Sequence, residues 1–272
     1  MDDLIRAAIL GLVEGFTEFL PVSSTGHLIL VKNILEFSNA ANAKLADTFI
    51  VFIQLGAILA VLWLYWQRFL ALIPGVVKDS EMATGFVAYE GIKKIALACL
   101  PAFILGPFLD DYLEAKLFYP LPVAFALAFG GVVMLYIEAR KHSCSTSKIS
   151  DISLKQAFGI GLFQCLALWP GMSRSGSTIV GGLLMGLERS VAAEFSFIVA
   201  VPIMGAASCF KILKNYSSFD ISSIWLFAVG FVFAFFSALV AIKFMLHLLK
   251  KYTFRPYAYY RIVLAFVIFY FW

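Results

Sequence analysis

Charge is what this chain has least of. Of its 272 residues, 14% are Asp, Glu, Lys or Arg against 62% hydrophobic, and the mean hydropathy is +0.91. A soluble domain carries about 25% charged and about 45–50% apolar residues, so a chain that faces water all round is excluded. Cysteine is scarce too. Cys99, Cys144, Cys165 and Cys209 show neither pairing nor CxxC spacing, and three of them sit in apolar runs, where a thiol behaves as a small hydrophobe. Neither a disulfide framework nor a zinc site follows. The opening "MDDLIRAAIL" lacks a basic n-region and no small-residue cleavage site follows it, so no removable signal peptide is expected. The net charge of +4 is small and lies in loops, which fits membrane orientation, and no nucleic-acid partner is expected.

What the chain does have is a succession of apolar runs. Crossing a bilayer takes about 17–25 such residues. The clear candidates are 48–66, 121–137, 192–210, 224–246 and the shorter 258–272, while 95–109 is weaker because Pro101, Gly106 and Pro107 interrupt it. Two further pairs of pieces are too short or too polar to be ordinary spans. The first is 4–20 with 28–35, split by "PVSSTGH"; the second is 154–169 with 178–187, split by "PGMSRSGS".

Loop charge orders these pieces. Lysine and arginine gather in cytoplasmic loops near span ends. Arg68, Lys78, Lys93 and Lys94 fall in 67–94; Arg140, Lys141, Lys148 and Lys155 in 139–155; and Lys243, Lys250, Lys251 and Arg255 in 243–255. With those three loops in the cytoplasm, the pair 154–187 must enter and leave from one face and the pair 4–35 from the other. Non-helical backbone survives at membrane depth only where protein or water satisfies it, so the two polar loops are expected to meet. An offset of 150 residues aligns Ala7 with Ala157, Gly11 with Gly161, Leu12 with Leu162, Ser23 with Ser173, Gly26 with Gly176 and Ile29 with Ile179, and it sets Glu14 against Gln164. The expected fold is therefore an all-α polytopic membrane protein and a single integral membrane domain over 1–272. It has an inverted-topology repeat (about 1–140 and 150–272), two re-entrant helical hairpins and about six full transmembrane helices, with a site at the repeat interface.

The polar residues inside these runs are the candidates for chemistry. A carboxylate at bilayer depth costs about 2.5–3.5 kcal/mol on insertion scales. Glu14 and Glu18, at i and i+4, share one helix face; a divalent cation or a shared proton would relieve both. Magnesium or calcium suits such oxygen donors and is also held by phosphate. The plainer alternative is an interfacial helix with both carboxylates in water. "SSTGH" offers hydroxyls on Ser23, Ser24 and Thr25, a tight turn at Gly26 and a helix start at His27 or Leu28. That combination presents N–H groups to an anion and sets a hydroxyl beside a histidine, although serine and threonine are also ordinary helix caps. "PGMSRSGST" puts Arg174 among Ser173, Ser175, Ser177 and Thr178. Its guanidinium matches phosphate, or it pairs with Glu14 or Glu18. Gln54 and Gln164 can orient a ligand or bond neighbouring helices, and Arg261 is expected to snorkel to the interface. Two carboxylates, a hydroxyl cluster with a histidine, and an arginine with further hydroxyls make a phosphate site, whose substrate should bring a lipid tail. A carrier for an anion or a phosphorylated lipid, built on the same repeat, is the competing reading.

"EGFTEFLPVSSTGH" (14–27) and "PGMSRSGST" (170–178), with "FIVFIQLGAILAV" (49–61), "FQCLALWPG" (163–171), "AAEFSFIVAVP" (192–202) and "YRIVLAF" (260–266), resemble the bacterial bacitracin-resistance family of undecaprenyl-diphosphate phosphatases nearly end to end. The resemblance implies hydrolysis of undecaprenyl diphosphate, recycling the lipid carrier for peptidoglycan synthesis, in the bacterial inner membrane with a site facing the periplasm. It implies a divalent cation at Glu14 and Glu18 and catalysis by Glu18, Ser24, His27 and Arg174. Ser24 is then the nucleophile with His27 as base, or His27 activates water. Ser23, Thr25, Gly26, Gln54, Ser173, Ser175, Gly176 and Thr178 are expected around the substrate head. The partners expected are the bilayer, a polyprenyl diphosphate and, at most, a second copy of the chain.

Overall fold

A computed structural model describes residues 3–37, 43–76, 86–140, 144–214, 223–249 and 251–272. Of the residues weighed above, Lys78, Lys141 and Lys250 lie outside them. The architecture is all-helical: α1 (Asp3–Glu18), α2 (Ser24–Ile34), α3 (Ala43–Leu64), α4 (Trp66–Ala71), α5 (Ala88–Leu117), α6 (Pro120–Ala139), α7 (Leu154–Gln164), α8 (Arg174–Leu184), α9 (Arg189–Lys214), α10 (Ile224–Leu249) and α11 (Arg255–Phe271). Five of these, within α3, α5, α6, α9 and α10, are long and apolar enough to cross a membrane. Large apolar side chains such as Phe108, Phe125, Phe236 and Phe266 stay exposed on the outer faces, as they do where lipid replaces water. The chain is a multi-pass membrane protein. Helix α11, at 17 residues, is the shortest of the expected spans.

One expectation about the helices fails. The interruption anticipated at Pro101 and Pro107 is absent, because α5 runs unbroken through both. Proline removes an N–H from the ladder and frees the carbonyl four residues back, Leu97 for Pro101 and Phe103 for Pro107, and membrane helices tolerate this. Here α7 lies against that stretch. A Cβ on Gly161 would come within 2.6 Å of the Ala98 carbonyl oxygen, and the Gln164 side-chain amide donates to the same oxygen at 3.1 Å. Gln164 is thus a helix-to-helix bond, the plainer of its two readings.

The same contact occurs on the other side of the molecule. Helix α1 packs on α10 as α7 packs on α5, and a Cβ on Gly11 would overlap the Gly230 carbonyl. Gly11 and Gly161, aligned at the 150-residue offset, each let one helix backbone sit directly on another. Helices α3 and α9 pack on each other, as do α6 and α11. This frame leaves two short helices, α2 and α8, with the loops before them, in the interior between the long ones.

Candidate active site

Helices α2 and α8 begin three to four residues earlier than the apolar runs alone imply, because side chains decide the start. Ser23 caps α2 by accepting from the Gly26 N–H, and Ser173 caps α8 by accepting from the Gly176 N–H. Both serines hold a left-handed backbone, φ 71° and 70°. A non-glycine residue there is strained by about 1–3 kcal/mol, and such strain persists where the surroundings over-determine it. The two loops share one strained geometry, and each delivers a different residue to the first helical position: Ser24 on α2 and Arg174 on α8.

Those residues meet on Glu18. Arg174 Nη2 donates to Glu18 Oε1 at 3.0 Å across 156 positions of sequence, and Ser24 Oγ donates to Glu18 Oε2 at 2.5 Å. Arg174 Nη1 also donates to the Ser196 carbonyl at 2.9 Å, and its guanidinium lies 5.7 Å from the Phe19 ring centre. A cation at a helix N-terminus opposes the helix dipole, and a buried ion pair seldom repays its desolvation. Stability alone therefore does not account for Arg174. The pairing of Arg174 with Glu18, open at the level of sequence, is realised, and Glu18 holds the serine and the arginine together.

A cavity of about 140 Å³ opens beside this trio. At ~30 Å³ per water it holds a phosphate-sized group and not a lipid. The first loop contributes Glu18, Ser23, Ser24 and Thr25 to its wall, the second contributes Ser173 and Arg174, and Gln54 of α3 closes one side. The remaining predicted residues lie behind it. Ser175 Oγ bonds the Leu20 carbonyl at 3.0 Å, stitching the second loop to the first. Thr178 Oγ1 bonds the Arg174 carbonyl at 2.9 Å and shares a 2.6 Å bond with Ser196. Gly26 and Gly176 supply the capped N–H groups. Glu14 is fully buried, and neither of its carboxylate oxygens has a hydrogen-bond partner among the described residues, which rules out the interfacial reading of α1.

His27 does not face Ser24. Its Nδ1 is 2.7 Å from the Ser23 carbonyl, and its Nε2 is 2.7 Å from the Tyr260 hydroxyl. A carbonyl can only accept, so Nδ1 carries the proton and Nε2 receives the tyrosine's. Three residues of the site escaped the sequence reading: Ser196, Tyr260 and the true setting of Arg261. Arg261 does not snorkel. It is 1% exposed and surrounded by carbonyls of both loops. Ser196 stands as a lone hydroxyl in "AAEFSFIVAVP", and Tyr260 with Arg261 opens "YRIVLAF", yet nothing local in either run says what each bonds.

Two polar loops of a multi-pass membrane protein thus bring a serine, a carboxylate and an arginine into one bonded chain beside a cavity. Residues 7–267 match the family model described as bacitracin resistance protein BacA, and the chain belongs to that family. It is 47% identical over 272 residues, the whole of both chains, to an undecaprenyl-diphosphatase of Maridesulfovibrio salexigens. It is 48% identical over 271 residues, 100% of this chain and 99% of the relative, to one of Nitratidesulfovibrio vulgaris. An undecaprenyl-diphosphatase 2 of Rhodospirillum rubrum is 43% identical over 265 residues, 97% of this chain and 93% of the relative.

Proposed function

We propose that this chain hydrolyses undecaprenyl diphosphate to undecaprenyl phosphate and inorganic phosphate, recycling the lipid carrier for peptidoglycan synthesis. The observation that carries this reading is Ser24 and Arg174 held 2.5 and 3.0 Å from the two oxygens of Glu18 at the wall of one cavity. The terminal phosphate enters that cavity while the polyprenyl tail remains in lipid. Ser24 Oγ attacks the terminal phosphorus and its proton passes to Glu18 Oε2. The bond from that phosphorus to the bridging oxygen breaks, and undecaprenyl phosphate leaves. Glu18 passes that proton to the departing bridging oxygen, then takes one from the water that attacks the phosphoserine and gives it to Ser24 Oγ, so that inorganic phosphate leaves and the serine hydroxyl is restored. Arg174 and the N–H groups at the starts of α2 and α8 meet the charge spread over the phosphoryl oxygens, where most of the catalysis of phosphoryl transfer arises. His27, committed to Ser23 and Tyr260, holds the first loop, and the base is Glu18.

The fully buried Glu14 carboxylate, without a hydrogen-bond partner among the described residues, and Glu18 one turn on fit a divalent cation, magnesium or calcium. Among the described residues no group of three or more His, Cys, Asp or Glu side chains gathers; Glu14 and Glu18 would hold the ion together with phosphate oxygens of the substrate. When bound, such an ion neutralises phosphate charge. Chelation is expected to stop phosphate release and added magnesium or calcium to restore it; release that persists in chelator overturns the cation.

The exchanged packing, α1 on α10 and α7 on α5 with Gly11 and Gly161 at equivalent contacts, supports an inverted repeat. In it α1–α2 and α7–α8 are re-entrant hairpins from opposite faces of the bacterial inner membrane, with the cavity open to the periplasm. The purified chain in detergent, where no compartments exist, should release phosphate from undecaprenyl diphosphate. A carrier would release none, and that result would defeat the enzymatic reading.

A further inference from the structure

Among the described residues Arg261 has no carboxylate partner: its five hydrogen bonds all go to backbone carbonyls. Nε donates to Leu127 at 3.3 Å, Nη1 to Pro21 at 3.4 Å, and Nη2 to Ala126, Gly171 and Met172 at 3.3, 3.1 and 2.9 Å. A guanidinium buried among neutral dipoles is expensive, and an apolar side chain of similar volume would fill the space without that cost. The placement of the carbonyls shows what the charge accomplishes. Pro21 lies two residues before the strained cap Ser23, and Gly171 and Met172 lie two and one before the strained cap Ser173. A single rigid fork therefore grips both loops and ties them to α6 through Ala126 and Leu127. In the planar trans peptide joining Met172 to Ser173, the N–H points opposite to the carbonyl. Drawing the Met172 carbonyl onto Arg261 thus turns the Ser173 N–H away from it, and Ser173 lines the cavity.

We propose that Arg261 is a positioning residue for the phosphatase reaction, fixing the two polar loops relative to each other so that Ser24 and Arg174 converge on one phosphate; this rests on the functional reading above. Arg261 does not itself line the cavity; it bonds the backbone of Gly171 in the wall and does not reach the reacting atoms. It acts through loop geometry, and misplacement of about 1 Å by a remote change can cost about 10²-fold in rate.

Two variants disturb the fork from different sides. Arg261→Lys keeps the charge and loses the planar donors. Gly130→Ala leaves Arg261 in place but sets a methyl on α6 against it: the Cβ would overlap Nη2 and lie 2.8 Å from Cζ, and its three nearest atoms all belong to Arg261. The far end of a long side chain yields more readily than backbone, so the guanidinium shifts and the helices hold. Phosphate release by the purified full chain in detergent, alongside its thermal unfolding, gives the test. Each folded variant is expected to lose about 10²-fold in kcat with KM changed by less than about threefold, since every group that contacts substrate is still present. If Arg261→Lys does not fold, Gly130→Ala decides. Gly130→Ala with undiminished kcat, or a loss confined to KM, overturns the role. An unaltered chain without turnover would sink the functional reading and this role with it, whereas turnover retained in the variants sinks the role alone.

Discussion

Replacing Arg174 by alanine is expected to lower phosphate release by about 10³-fold or more, about 4 kcal/mol of transition-state stabilisation. The loss should fall chiefly on kcat, because the charge on the phosphoryl oxygens that the guanidinium meets is greatest in the transition state. The substitution also strips Glu18 of its partner, and a buried charge left alone destabilises a fold by about 3–5 kcal/mol. Thermal unfolding in detergent must therefore be recorded with the kinetics. Arg174→Lys separates the two effects: it keeps the ion pair with Glu18 but lacks the fork that matches phosphate. Its fold should survive while its turnover stays at least tenfold down. A folded Arg174→Ala chain that keeps more than a tenth of the rate would remove arginine from the chemistry.

Ser24→Ala is expected to have an effect of the same size for a different reason. With the hydroxyl gone no phosphoserine can form, and losses of a covalent nucleophile run to about 10⁴-fold or beyond. The cavity, Arg174 and Glu18 remain, so substrate should still bind and KM should change little. The unaltered chain, mixed with substrate labelled on its terminal phosphate and quenched in acid, should yield label on Ser24. If water attacks directly, no label is trapped and Ser24→Ala retains turnover within about tenfold, the loss of one hydrogen bond to Glu18.

Much of the site was legible because ionised groups in apolar runs demand an explanation. Glu18 stands in a stretch otherwise fit for lipid and Arg174 in a polar loop expected at the same depth, and the simplest arrangement is that they face each other, as they do at 3.0 Å. Ser24 was legible for its place just before an apolar run. The rest was decided by tertiary partners that no local pattern encodes. His27 is adjacent to the serines in sequence, but Tyr260, 233 positions away, takes its Nε2. Arg261 looked like a residue on its way to the interface, and the carbonyls that hold it come from α6 and both loops. The fold shows the same division. Apolar length located the long helices to within a few residues at most ends. The starts of α2 and α8 were misjudged because a serine cap, not hydrophobicity, sets them. Proline and glycine interrupt the apolar run of α5 on paper, yet the helix continues through Pro101 and Pro107.

The account turns on the two loops acting as one site, and a double-substitution cycle measures that directly. Phosphate release is compared among Ser24→Ala, Arg174→Ala and the chain carrying both. Groups that work as a unit are strongly non-additive, so the double variant should lose scarcely more than the worse single one. Losses that multiply would mean that Ser24 and Arg174 act at separate places, in contradiction to a shared phosphate between them.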